Sequence, residues 1–169
     1  MNYAPVIMFV YNREDHFKKT YEALAKCPEA RDTVLYVFSD GAKNSQSEAA
    51  VEKVRDAVRY KIKNSDFKKV VLNEASCNRG LAVSIIGGVS EVLNQYGKAI
   101  IIEDDCMASP YLLSFFNKSL DYYENNNKVG AIAGYTPNIS LPNEYTSDVF
   151  ATYRSCSCCW ATWKNKWEG

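Results

Sequence analysis

Histidine is almost missing from this chain: His16 is the only one in 169 residues. There is no histidine pair to ligate zinc and no set of imidazoles for acid–base work, and His16 reads as an ordinary surface residue at the start of a helix. Net charge is missing as well. Twenty Lys and Arg balance twenty Asp and Glu, and neither sign gathers in one half, so a nucleic-acid partner has no electrostatic footing. No apolar run approaches bilayer-spanning length, and Met1-Asn-Tyr-Ala-Pro5 lacks a basic-then-apolar leader. These absences read as a soluble, cytoplasmic protein with no transmembrane segment, compatible with peripheral attachment to an inner membrane. Two glycine signatures are absent too. No Gly-x-Gly-x-x-Gly follows the first apolar run, and no Gly-x-x-x-x-Gly-Lys-Ser/Thr occurs anywhere, which removes the main support for a dinucleotide oxidoreductase or a P-loop enzyme.

What is present is a core. Hydrophobic residues make up 47% of the chain, enough for one full domain. Val6-Ile-Met-Phe-Val10, Thr33 to Phe38, Lys69-Val-Val-Leu72 and Lys98-Ala-Ile-Ile-Ile102 are short, continuously apolar and rich in β-branched residues, the pattern of buried strands. Helical stripes lie between them: Phe17, Tyr21 and Leu24; then Val51, Val54, Val58 and Ile62; then Ile85, Val89, Val92, Leu93 and Tyr96. Ser109-Pro110 opens a further helix carrying Leu113, Phe116, Leu120 and Tyr123. Val129 to Ala133 reads as a short strand, Asp148 to Tyr153 as an extended stretch, and Trp160, Trp163 and Trp167 as one face of a last helix. Strand and helix alternate, so the expected fold is α/β: a doubly wound, mostly parallel sheet with helices on both faces.

In such a fold the loops after successive strands meet along one sheet edge, where ligands bind. Those loops hold Tyr11-Asn12-Arg13, Ser39-Asp40-Gly41, Asn78-Arg79-Gly80 and Glu103-Asp104-Asp105. Arg13 and Arg79 suit phosphates, Asp40 suits a base or ribose, and the acids suit a metal. Adjacent carboxylates repel by about 1 kcal/mol per close pair in water and by more in a drier cleft, a cost that a bound cation removes. Alternation puts Glu103 and Asp105 on one side and Asp104 on the other, so a single divalent ion meets one or two of the three. The six cysteines, Cys27, Cys77, Cys106, Cys156, Cys158 and Cys159, match no common zinc spacing and read as free, structural thiols.

These motifs resemble those of GT-A fold glycosyltransferases, in particular bacterial relatives of the N-acetylglucosaminyltransferase that begins complex N-glycans. The matching segments are Pro5 to Arg13, Phe38-Ser-Asp-Gly-Ala-Lys43, Asn78-Arg-Gly-Leu-Ala82, Glu103-Asp-Asp-Cys-Met-Ala-Ser-Pro110 and Trp160-Ala-Thr-Trp163. The resemblance implies that Asp105 binds Mn²⁺ or Mg²⁺, that Asp104 faces the donor ribose or sugar, and that Asn12, Arg13, Asp40, Arg79 and Glu103 lie around the donor nucleotide. Trp160 would stand on the acceptor side. Residues 1–107 would form the donor-binding half of a single domain spanning 1–169, and 108–169 the start of an acceptor-side half. The general base and the loop that covers the donor would lie beyond Gly169, leaving this stretch able to bind but poorly able to transfer. The expected activity is metal-dependent transfer of a sugar from a nucleoside diphosphate to a hydroxyl of a saccharide or glycolipid acceptor, as in bacterial polysaccharide assembly. Asp40 can accept from the imide N–H of uracil, which points to a uridine donor. Two other readings share much of this pattern: a sugar nucleotidyltransferase, which calls for a glycine-rich basic loop where Tyr11-Asn12-Arg13-Glu14 stands, and a nucleotide-binding module without catalysis.

Overall fold

The computed structural model describes residues 3–154 and 156–169. Its elements follow the apolar runs: β1 (Val6–Val10), α1 (Glu14–Ala25), β2 (Val34–Ser39), α2 (Ser45–Lys63), β3 (Lys69–Glu74), α3 (Leu81–Tyr96), β4 (Lys98–Glu103), α4 (Leu112–Tyr123), β5 (Ile132–Ala133), β6 (Cys159–Trp163) and α5 (Lys164–Trp167). They build one six-stranded sheet in the order β3-β2-β1-β4-β6-β5. The first four strands are mutually parallel, β6 runs antiparallel to β4, and β5 runs antiparallel to β6.

Burial explains the strand patterns. β1 is buried at all five positions because neighbours flank it on both edges and helices cover both faces, so it contains no polar residue. β3, at the sheet edge, is partly exposed and carries Lys69, Asn73 and Glu74. One apolar layer joins Met8, Leu35, Ile100 and Ile102 to Phe17, Tyr21 and Leu24 of α1, Val54 and Val58 of α2, and Leu113, Phe116 and Leu120 of α4. The opposite layer joins Ile7, Phe9, Tyr36 and Ile101 to Val89, Val92 and Leu93 of α3. Helices therefore cover both faces. Local signals fix their ends. α2 opens with a capping box in which Asn44 accepts from the Ser47 N–H and Ser47 answers to the Asn44 N–H. α3 stops at Gly97, left-handed at φ 78°, whose N–H returns to the Leu93 carbonyl.

Several expectations are corrected. The tryptophan segment is a strand, not a helix: Cys159, Ala161 and Trp163 enter one core layer while Trp160 enters the other, and only Lys164–Trp167 makes a helical turn. The free edge of β4 offers a full row of antiparallel partners from Ile102↔Cys159 to Lys98↔Trp163, and that pairing overrides the helix-like tryptophan spacing. Trp160 thus sits in the sheet opposite Ile101 and packs on Trp167, with ring centroids 5.7 Å apart, instead of opening a helix. α4 begins at Leu112, two residues past Pro110, after a turn in which the Ser109 Oγ accepts from the Tyr111 N–H. The strand expected over 129–133 shrinks to Ile132–Ala133, no strand forms over 148–153, and Ile62, expected on the inner face of α2, is exposed. Among the described residues no helix is long and apolar enough to cross a membrane.

Candidate functional site

The strand order reverses between β1 and β4. From β1 the chain winds outward through β2 to β3, then returns to place β4 on the other side of β1. The helices that follow β1 and β4 pack in one apolar layer, so the two loops meet at the carboxyl edge of the sheet, where α/β folds bind ligands. Arg13 follows β1 and the three acids follow β4. With Phe9 in register with Glu103, the two loops emerge side by side.

Arg13 bridges the acids. Its Nη2 donates to the Asp104 carboxylate and its Nη1 to Asp105 Oδ2 at 3.1 Å. Asp104, which the family resemblance places toward the donor ribose or sugar, is 3% exposed, and Thr20 Oγ1 of α1 donates to its backbone carbonyl at 2.7 Å. The side chain of Arg13, 44% exposed, lies at the rim. Burial pushes the Asp104 carboxyl above its ordinary range by more than Arg13 pulls it down, whereas the same pair raises Arg13. The two ends thus differ in sign: the guanidinium gains from the bond, and the acid remains short of full compensation for its burial. Glu103 is also pushed up, first by burial and then by Asp105 and Asp104. Asp105 is exposed.

A second cluster sits one strand further out, where β2 and β3 end. Asp40 Oδ1 accepts from the N–H groups of Gly41 at 2.9 Å and Arg79 at 2.8 Å; Oδ2 accepts from the Gly80 N–H at 2.9 Å and from Asn78 Nδ2 at 3.1 Å. A carboxylate offers about four lone-pair positions, and here all are taken. Asn78 Nδ2 also reaches the Gly41 carbonyl, and a Cβ on Gly41 would collide with the Cys77 backbone, so the two loops touch main chain to main chain. Arg55 of α2 braces them from behind by donating to the carbonyls of Asp40 and Ala75.

The remaining expected residues fall into place around these clusters. Asn12 and Arg79 are exposed at the same edge, and Trp160 is half-buried in the sheet. The structure thus brings Arg13, Asp104 and Asp105 together, gathers Asp40, Asn78 and Arg79 one strand away, and places Trp160 apart from both clusters in the β6 strand. Sequence reasoning missed Thr20 and Arg55. Thr20 could have been noticed as a hydroxyl on the inner stripe beside Phe17 and Tyr21; nothing local marks Arg55. All six cysteines are free. Burial pushes the Cys106 thiol up to about 11 and raises Cys158 and Cys159, so these are not activated nucleophiles.

Among the described residues, no three His, Cys, Asp or Glu side chains are arranged to enclose a metal. An ion of the Mg²⁺ type needs less, since it keeps several waters and takes one or two carboxylates with the phosphates of a substrate. Exposed Asp105, a hard oxygen donor with Glu103 beside it, fits that open mode and would not fit a closed all-protein cage.

The fold has a solved counterpart. A mannosyltransferase of Pyrobaculum calidifontis, solved in complex with GDP-mannose and Mn²⁺, superposes with a TM-score of 0.66 at 17% identity over 96% of this chain. The chain has a glycosyltransferase fold. It spans 44% of the length of that mannosyltransferase. TarS of Staphylococcus aureus overlaps more weakly, with a TM-score of 0.49 and 18% identity over 72% of this chain and 20% of that one, and adds nothing to the assignment. No protein-family model matches the sequence, and no curated protein does. Within the glycosyltransferase fold, the Arg13 cluster occupies the β1/β4 switch point and the Asp40 cluster the neighbouring loop pair.

Proposed function

We propose that this chain binds a nucleoside diphosphate sugar at the β1/β4 edge and belongs to a metal-dependent glycosyltransferase acting on a saccharide or glycolipid hydroxyl, akin to the bacterial relatives of the N-acetylglucosaminyltransferase named above. The observation that carries this reading is the Arg13–Asp104–Asp105 cluster at the strand switch point. There Arg13 and Asp105 are exposed at the carboxyl edge of the sheet, with Asp104 buried beneath them, an arrangement suited to a charged ligand. The shared fold with a transferase solved with GDP-mannose and Mn²⁺ supports it.

In this reading Asp105, with Glu103 beside it, holds Mn²⁺ or Mg²⁺. The bound ion supplies positive charge against the diphosphate that departs as the sugar is transferred. Arg13 and Arg79 pair with phosphate oxygens, and Asn12 lines the same rim. Asp104, too buried to meet solvent, keeps the Arg13 guanidinium aimed at the edge by a charge-assisted hydrogen bond. Residues 1–107 form the donor half, and 108–169 contribute β6, which completes the sheet beside β4. Uridine diphosphate is the donor favoured by the sequence, and guanosine diphosphate is the rival suggested by the neighbour's ligand.

Calorimetric titration of the chain with uridine and guanosine diphosphates, each with Mn²⁺ and with EDTA, tests the reading. Binding should be tighter with Mn²⁺, and uridine diphosphate should bind better than guanosine diphosphate. Equal affinity in EDTA removes the metal, preference for guanosine diphosphate reverses the base, and absence of binding by either overturns the donor reading.

A further inference from the structure

We propose that Cys156 and Cys158 form a redox pair, a reversible modification site that closes to a disulfide and passes the change to the turn Glu103–Cys106 after β4. The inference stands apart from the donor reading above, since it needs neither nucleotide nor metal. Its ground is a contact between thiols. The two Sγ atoms lie 3.2 Å apart across the bend that leads into β6. Core packing does not account for them. Cys159, the next residue, is 6% exposed and sits in an apolar layer, with its Sγ 3.1 Å from the place that a Cβ on Gly134 would take. Cys156 and Cys158 are half-buried, and among the described residues they belong to neither layer. Metal binding does not account for them either, because among the described residues no third His, Cys, Asp or Glu completes a metal-binding group with them. Facing thiols left over from both roles are suited to oxidation against each other.

The step balances with a low-molecular-weight disulfide, such as oxidised glutathione, as oxidant. The thiolate of one cysteine attacks it and releases one small thiol; the other cysteine then displaces the second small thiol from the mixed disulfide. The protein gives up two electrons and two protons, and the oxidant leaves as two thiols. Neither sulfur needs activation, because the second displacement is intramolecular. Closure reaches the acids through one carbonyl. The Cys158 carbonyl accepts from the Glu103 N–H at 3.1 Å, one step beyond the Ile102↔Cys159 pair of the β4–β6 ladder, and Cys106 Sγ donates to the same oxygen at 3.1 Å. One acceptor thus holds both ends of the turn that carries Asp104 and Asp105. To form the bond, the sulfurs must close to about 2.0 Å with a dihedral angle near 90° about the S–S axis. The Cys158 Cα, from which the carbonyl projects, is drawn along with its sulfur, and the bond to Glu103 loosens.

The test oxidises the intact, reduced chain in a glutathione buffer and reads its mass, a peptide map and amide exchange. The wild type should lose about 2 Da, fragmentation should find Cys156 joined to Cys158, and exchange at the Glu103 amide should quicken by roughly tenfold. Dithiothreitol should reverse all three. Cys156→Ser and Cys158→Ser should each abolish the loss of mass and the change in exchange, whereas Cys106→Ser should keep both. If Cys158→Ser does not fold, Cys156→Ser and the fragmentation of the wild-type peptide carry the test. A bridge to Cys106 or Cys159, glutathione adducts without a bridge, or no reaction overturns the pair. A Cys156–Cys158 bridge with unchanged exchange at Glu103 overturns its link to the acids. Because every readout is taken without nucleotide or metal, failure of the donor titrations leaves this result standing, and its failure leaves them standing.

Discussion

Two carboxylate clusters stand one strand apart on the same sheet edge, and they are compensated in opposite ways. Asp40 is held by four neutral donors, three of them main chain. Asp104 and Asp105 share a single half-exposed cation, Arg13, and the buried member of that pair is left with its proton affinity raised. Neutral backbone donors can be arranged once and for all, because they belong to the loops being joined. A guanidinium on a long side chain can be exchanged for another cation or turned to another anion. The Asp40 junction therefore has the character of a finished joint, and the Arg13 cluster that of one whose counter-ion can be exchanged.

Removing the carboxylate of the finished joint should have the larger effect on stability. Asp40→Ala leaves three backbone N–H groups and one amide without their acceptor. With water able to reach part of the junction, the expected cost is about 2–3 kcal/mol. Urea denaturation with an unchanged slope would confirm a native-state loss, and a cost below about 0.5 kcal/mol would show that the four bonds are replaced by solvent without penalty.

Next in size is the linkage between metal and nucleotide at the exchangeable cluster. If Asp105 anchors the ion, Mn²⁺ and a nucleoside diphosphate should each tighten the other by about 1–3 kcal/mol, and Asp105→Asn should abolish that coupling while leaving the melting temperature of the free protein nearly unchanged, since the side chain is exposed. Coupling that survives in Asp105→Asn would move the ion to Glu103.

This division was partly legible in the sequence. The continuous apolar runs at 6–10, 34–38 and 98–102 specify buried parallel strands because nothing but a doubly covered sheet accommodates them, and the loops after them had to share an edge. The acid triplet and Arg13 were visible as edge residues for that reason. Their pairing was not, because which charge meets which depends on the side-by-side exit of β1 and β4, a relation between residues about ninety positions apart in sequence. Saturation of Asp40 was hidden in the same way: three of its four donors come from the β3–α3 loop, and backbone N–H groups carry no sequence signature. The strand β6 was misread because Trp160, Trp163 and Trp167 imitate a helical period, while the true determinant, the unpaired edge of β4, lies some sixty residues earlier.

Arg13→Gln should cost less stability than Asp40→Ala. It strands a buried acid, which favours a sizeable penalty, but the arginine is half-exposed, the acid can take up a proton, and water can enter the rim, so about 1 kcal/mol is expected at neutral pH without metal. Saturating Mn²⁺ should narrow the gap between variant and wild type in thermal melts, because the cation restores the missing positive charge. A gap that widens with Mn²⁺ would mean that Arg13 and the ion cooperate instead of substituting for each other.

The smallest effect separates the clusters most cleanly. Screening weakens an ion pair at a protein rim, and the Debye length falls from about 10 Å at 0.1 M salt to about 3 Å at 1 M. The stability gap between wild type and Arg13→Gln should therefore shrink by a few tenths of a kcal/mol as NaCl rises over that range. The gap for Asp40→Ala should hold steady, because what it loses are short hydrogen bonds from neutral donors whose geometry salt does not alter. Parallel urea titrations at the two ionic strengths, with metal removed by chelation, provide the measurement, and comparing differences between variants cancels the general effect of salt on folding. Should the Asp40→Ala gap shrink as much as the Arg13→Gln gap, the Asp40 carboxylate would be supported by a nearby cation after all. Arg79 and Arg55 are the two candidates, and the contrast between a finished joint and an exchangeable one would then have to be redrawn as two ion-paired clusters differing only in exposure.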